Sequence, residues 1–180
     1  MNWKRLTKTL LAVCFALMLT ACTGSQREPF EMKEITMDEL AKKMDDGETF
    51  TLLVERDNCP FCQAMNEYME ETKGEHPGVT VYRLDTTDYE LFREQEGDMT
   101  LISTTDQGQA FLARFPYFLY TPAFYKIVDG QPVEAGIGYD ESRQAVSLWG
   151  VDSTIDWNQS KPIGVWDFLE EEGTDTQSES

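Results

Sequence analysis

Hydrophobic and polar positions along the chain sort into a sequence of short elements. Thr36 followed three residues later by Glu39 has the form of a capping box, and Met37, Leu40, Ala41 and Met44 recur at helical spacing until Asp45-Asp46-Gly47 supply a stop. A short amphipathic helix is expected there. Phe50 to Val54 is apolar apart from Thr51 and is bounded by polar residues, which is the pattern of a strand buried on both faces. Pro60 suits the first position of a helix, where its missing N–H costs nothing. Phe61, Met65, Tyr68 and Met69 then line one face until Lys73 and Gly74 provide an end. Val79 to Leu84 reads as a second buried strand. Strand, helix, strand implies a right-handed parallel crossover, which puts the N-terminus of the helix at the carboxyl edge of the sheet.

Beyond Leu84 the pattern weakens. Tyr89, Leu91 and Phe92 suggest one short helix, and the stretch from Asp85 to Thr105 reads as an insertion. Gln109 to Phe115 is expected to form a helix ended by Pro116. Ala123 to Val128, the turn Asp129-Gly130, and Val133 to Ile137 form an antiparallel hairpin. Ser142 to Trp149 and Ile163 to Glu171 both have the periodicity of a closing helix, and the later one is favoured because Val165, Trp166, Phe168 and Leu169 make the stronger apolar face. The fold class is therefore α/β, a mixed central sheet flanked by helices, in one domain spanning 35–171.

The ends of the chain differ from this middle. Lys4, Arg5 and Lys8 precede an apolar run from Leu10 to Leu19, too short to span a bilayer comfortably, which is the grammar of a secretory signal. Leu19-Thr20-Ala21-Cys22 resembles the lipobox of bacterial lipoproteins. That resemblance implies a leader over 1–21, lipidation of Cys22, a flexible tether over 22–34, and attachment at the extracytoplasmic face of a cell membrane. Residues 172–180 read as a disordered acidic tail. The full chain carries 15 Lys and Arg against 33 Asp and Glu, a formal charge of -18, and loss of the three leader cations takes it to -21. Such a surface repels nucleic acid and anionic headgroups.

With Cys14 in the leader and Cys22 lipidated, Cys59 and Cys62 are the thiols left for chemistry, in a compartment that tolerates disulfides. Three positions apart at a helix start, they can close a disulfide on one turn, the first exposed and the second turned inward. Unsatisfied backbone N–H groups and the helix dipole favour an anion at that end. Cys59 is then the nucleophile, with its titration below the roughly 8.5 of a free thiol, and Cys62 resolves the mixed disulfide. Half a zinc site is the competing reading of the pair, but tetrahedral zinc needs four ligands, and the one histidine, His76, is expected in a solvent-facing loop near the far end of the helix. An inert structural disulfide is the other, yet so short a loop stabilises little.

Here the chain resembles the thioredoxin superfamily. The resemblance is carried by the strand Phe50 to Val54, the Cys59-Pro60-Phe61-Cys62 motif opening a helix, and Thr121-Pro122 ahead of the strand Ala123 to Val128 with its Asp129-Gly130 turn. Within the superfamily it is most similar to the thioredoxin-like lipoproteins and bacteriocin transport accessory proteins of Gram-positive bacteria. The resemblance implies a cis Pro122 packed on the disulfide, Thr121 offering backbone to a substrate, and Pro60 and Phe61 beside it. No tryptophan precedes Cys59; Asn58 stands there. The buried carboxylate of thioredoxins corresponds to Leu53, so the proton of Cys62 would need another base, with Glu55 the nearest candidate and water the alternative. Arg56 would favour the Cys59 thiolate, while Glu55 and Asp57 would oppose it. Tyr117 to Tyr120 immediately precede the Thr121 loop and are placed to line it.

These readings imply a thiol-disulfide oxidoreductase that needs no bound cofactor and no metal. Its partners would be protein or peptide thiols and disulfides, together with an electron donor or acceptor at the membrane. An accessory protein that holds a peptide in the Thr121-Pro122 groove, or a redox sensor, would carry the same motif with little turnover.

Overall fold

The computed structural model describes residues 28–98, 100–151 and 160–171. The helix α1 (Met37–Asp45) begins at the expected capping box, with the Thr36 side chain accepting from Glu39 N and the Glu39 carboxylate accepting from Thr36 N at 2.9 Å. The strand β2 (Phe50–Glu55), the helix α2 (Pro60–Thr72) and the strand β3 (Thr80–Asp85) follow. β2 and β3 pair in parallel, so the crossover inferred from the sequence is formed.

β1 (Glu31–Glu34) adds in parallel to the other edge of β3. This corrects the reading of 22–34 as tether at residues 31–34; residues 22–27 lie outside the described residues. Its alternation of charged residues around Met32 is what an edge strand carries and what a solvated linker also carries, so only the pairing, including Glu31 N to Val79 O at 2.9 Å, distinguishes them. On the other side, β6 (Ala123–Val128), β7 (Gln131–Asp140), β8 (Ala145–Gly150) and β9 (Lys161–Gly164) are antiparallel. The seven-stranded sheet runs β1-β3-β2-β6-β7-β8-β9. The insertion holds a separate two-stranded pair, β4 (Leu91–Phe92) with β5 (Ile102–Ser103). Leu91 and Phe92 are thus a strand rather than a helix, because Glu90 adopts a left-handed backbone, φ 47°, and ends the preceding 3-10 turn Thr87–Tyr89. The helices α3 (Asp106–Arg114) and α4 (Val165–Glu170) complete the fold.

The alternation of β2 divides the interior. Leu52 and Val54 face a cluster with Leu40, Phe111, Phe115 and Ile127, under α1 and α3. Leu53 faces Met65, Met69, Phe124 and Phe168, under α2 and α4. This is the mixed sheet flanked by helices that a thioredoxin-like fold requires. Of the two candidate closing helices the later one forms, starting at Val165, while Ser142 to Trp149 supplies most of β8. Its burial pattern suits either period, and the open edge of β7 decides for a strand.

His76 is not a solvent-facing loop residue. Its ring stacks on Trp166 at 4.1 Å, Nδ1 lies 2.6 Å from Glu170 Oε1, and Trp166 Nε1 donates to Thr72 Oγ1 at 2.8 Å, so α4 is pinned to the end of α2. The leader, Cys22 and the tail 172–180 lie outside the described residues. Among the described residues no helix is long and apolar enough to cross a membrane.

Candidate active site

β2 ends at Glu55, and Arg56-Asp57-Asn58 turn the chain into α2. Asn58 holds φ 53°, a conformation that asparagine tolerates better than most side chains. The turn is stapled to the start of the insertion: Thr86 N and Oγ1 donate to Glu55 O at 2.9 and 2.8 Å, and Asp57 N donates to Thr87 Oγ1 at 2.8 Å.

Cys59 is the N-cap of α2 and Pro60 fills its first turn. Cys59 and Cys62 are joined in a disulfide, Cα to Cα 5.2 Å. Two donors converge on the Cys59 sulfur: Cys62 N at 3.2 Å and Thr121 Oγ1 at 3.4 Å. Thr121 O lies 3.6 Å from the same sulfur, and the Thr121–Pro122 peptide is cis. Helix end, backbone N–H and hydroxyl all favour negative charge on Cys59 when the bond opens.

The expected contrast of an exposed first and a covered second cysteine is corrected. Cys59 is 4 % and Cys62 3 % exposed. The asymmetry lies in access instead: Cys59 forms part of the wall of a cleft of about 630 Å³, and Cys62 does not. Pro60, Phe61, Tyr120 and Thr121 line the cleft as expected, and Phe61 is 61 % exposed. Pro122 lies buried behind Thr121.

Glu55 and Arg56 part company. Arg56 is exposed and lines the cleft. Glu55, 2 % exposed, sits on the α2 face of β2, two residues beyond Leu53. Burial pushes its carboxyl up from the ordinary range, against two opposing effects. Asn66 Nδ2, one helical turn after Cys62, donates to both of its oxygens at 2.9 and 3.2 Å. Arg83 Nε lies 3.0 Å away, at ion-pair distance but without hydrogen-bond alignment.

Sequence reasoning missed the Thr121 hydroxyl as a donor to sulfur, since the resemblance points to that residue's backbone. It also missed Asn66, although i to i+4 spacing from Cys62 places it on the same helix face. Arg93, Leu101 and Tyr139 also line the cleft, and nothing in their local sequence indicates it.

No family model matches the chain, and neither does any curated protein sequence. Solved structures with a likeness to it include thioredoxin of Malassezia sympodialis, 15 % identical over 63 % of this chain and 85 % of that one, TM-score 0.39. A point-mutant thioredoxin from Halobacterium salinarum is 23 % identical over 64 % and 85 %, TM-score 0.40. Thioredoxin f of spinach chloroplast is 15 % identical over 63 % and 84 %, TM-score 0.40. The fold class stands on the chain's own sheet order, disulfide and cis-proline rather than on these distant likenesses.

Proposed function

We propose that the chain is a thiol-disulfide oxidoreductase acting on protein or peptide partners through Cys59, held by a lipid on Cys22 at the outer face of the membrane. The observation that carries this reading is a disulfide whose one cleft-lining sulfur sits at a helix N-terminus under two hydrogen-bond donors.

In the oxidising direction a partner thiolate attacks Cys59 Sγ in line with the S–S bond. The new bond joins partner and Cys59, and the electron pair of the old bond leaves on Cys62. A second partner thiolate then attacks the partner sulfur of the mixed disulfide, Cys59 departs as the thiolate, and the partner holds a new disulfide while the chain holds two reduced sulfurs. The reducing direction is the reverse, with Cys59 as attacking thiolate and Cys62 resolving. Glu55, bonded to Asn66 one helical turn after Cys62, is the candidate to exchange a proton with Cys62, since burial moves its carboxyl up from the ordinary range. No bound cofactor enters these steps; the two electrons pass to or from a dithiol-disulfide partner at the membrane.

The test is turnover of a fluorescent disulfide-linked peptide in a glutathione buffer. The wild type should complete many cycles per molecule, and Cys59→Ala should fall to the rate of the buffer. Equal rates for the two would remove the reading.

A further inference from the structure

The cleft beside Cys59 is electrostatically unlike the rest of the molecule. The formal charge of the chain is -18, and eight of the eleven Lys and Arg side chains among the described residues are ion-paired to a carboxylate. The exceptions are Lys161, Arg56 and Arg93, and the two arginines line this one cleft. Arg56 is exposed and has no ion-pair partner among the described residues. Among the described residues Arg93 donates to main-chain carbonyls, Nε to Asp98 O at 2.8 Å and Nη2 to Leu119 O at 3.1 Å, with its guanidinium 5.2 Å from the Tyr120 ring centroid. These contacts fix its position, and it has no ion-pair partner among the described residues.

One carboxylate, Glu90, lines the cleft, and it accepts a hydrogen bond from Thr104 Oγ1. Thr86, Thr87 and Thr121 add hydroxyls to the lining, and Phe61, Leu91, Leu101, Phe118 and Tyr139 give it an apolar wall. We infer that the preferred exchange partner of Cys59 is a polypeptide segment whose reacting cysteine is flanked by an acidic side chain and an apolar one, the acid held by Arg56 and Arg93 and the apolar group by the Phe61 wall. This rests on the oxidoreductase reading and names its substrate class.

The acidic surface does not forbid such a partner. At physiological salt, charges more than about 8 Å apart are largely screened, so a segment in the cleft meets mainly its lining charges, Arg56 and Arg93 against Glu90, rather than the negative field of the whole molecule. An exposed pair contributes about 0.2–1 kcal/mol. At the upper end each arginine is worth roughly five-fold in a rate or binding ratio, since 1.4 kcal/mol is ten-fold.

Two peptides that differ only beside the cysteine, Phe-Glu-Cys and Phe-Lys-Cys, are each presented as a mixed disulfide with the same chromophoric thiol. The reduced chain is reacted with both, and with the small neutral disulfide of 2-mercaptoethanol. The ratio of the two peptide rate constants cancels any change in the reactivity of Cys59 itself. The expected ratio favours the Glu peptide at least ten-fold at low salt, falls towards one at high salt, and drops about five-fold in R56Q. R93K, which keeps the charge, should retain most of it.

A ratio near or below one, a ratio indifferent to salt, or one unchanged in R56Q overturns the inference while brisk exchange with the neutral disulfide leaves the oxidoreductase reading standing. No exchange with any of the three disulfides overturns both.

Discussion

Replacing Thr121 with Val keeps the β-branched shape beside Cys59 and removes one hydrogen-bond donor. That donor, Thr121 Oγ1, lies 3.4 Å from the sulfur, and Cys62 N at 3.2 Å remains in the variant. Hydrogen bonds to charged groups are worth about 1.5–3 kcal/mol, and a large, soft sulfur acceptor puts this one just below that range, about 1.4 kcal/mol. At pH values below the Cys59 titration the thiolate fraction should therefore fall about ten-fold. The thiolate that remains is more basic and, with a Brønsted coefficient of about 0.4–0.5, roughly three-fold more nucleophilic. The two effects oppose each other, so alkylation of the reduced protein by iodoacetamide should slow by only about three- to four-fold. The equilibrium does not share that compensation. Where Cys59 is ionised, the reduced state loses the whole stabilisation, and the reduction potential should move about 30 mV more negative. Thr121→Ser retains the hydroxyl and should restore both readings. A Thr121→Val protein with wild-type alkylation and potential, or a Thr121→Ser protein as impaired as Thr121→Val, would refute the role of the hydroxyl.

Three further perturbations read other parts of the account. Glu55→Gln removes a carboxyl that burial raises. A raised carboxyl gives its full stability below the unfolded value near 4.5 and loses it as pH climbs through the folded one, so the variant should have a higher urea midpoint than wild type at pH 7 and no advantage at pH 4. A loss at pH 7 would show that the Arg83 pair outweighs desolvation. In Gly108→Ala the new Cβ would fall 2.1 Å from Ser103 Oγ and 2.4 Å from Tyr89 O; since the second is backbone, the insertion must shift, costing about 1–3 kcal/mol in urea unfolding and slowing peptide exchange more than exchange with a small disulfide. Thr36→Ala takes away one half of the α1 capping box and should cost about 1 kcal/mol by the same unfolding measurement, with exchange rates as in wild type.

What could be read from the sequence is local in origin. Thr36 with Glu39, and Pro60 after Cys59, announce helix starts because the chemistry that satisfies the first N–H groups lies within one turn. The buried runs of β2 and β6 declare themselves through apolar content alone. β1 and β8 could not be read in the same way: Glu31-Met32-Lys33-Glu34 is a strand because β3 has a free edge, and Ala145 to Gly150 because β7 has one. The same holds within the site. Cys59 and Cys62 are three positions apart in the chain, so their disulfide follows from spacing, whereas the hydroxyl that meets the sulfur comes from 62 residues away. Arg93 reaches the cleft through an insertion whose sequence suggests one short helix and turns, with nothing to show where its side chains meet the rest of the domain. His76 shows the limit of composition: a polar residue in a loop reads as solvated until Trp166 of α4 covers it.

The central claim is that one sulfur of the pair, Cys59, meets the partner. Cys62→Ala and Cys59→Ala proteins, each with a single remaining thiol in the folded domain, should be incubated with a disulfide-linked peptide and the adducts mapped by mass spectrometry. Cys62→Ala should accumulate a peptide adduct on Cys59 that a reductant releases, and Cys59→Ala should form one on Cys62 no faster than the buried position allows. Adducts of equal rate and yield on the two sulfurs, or an adduct on Cys59 that forms no faster than on the urea-unfolded chain, would contradict the account.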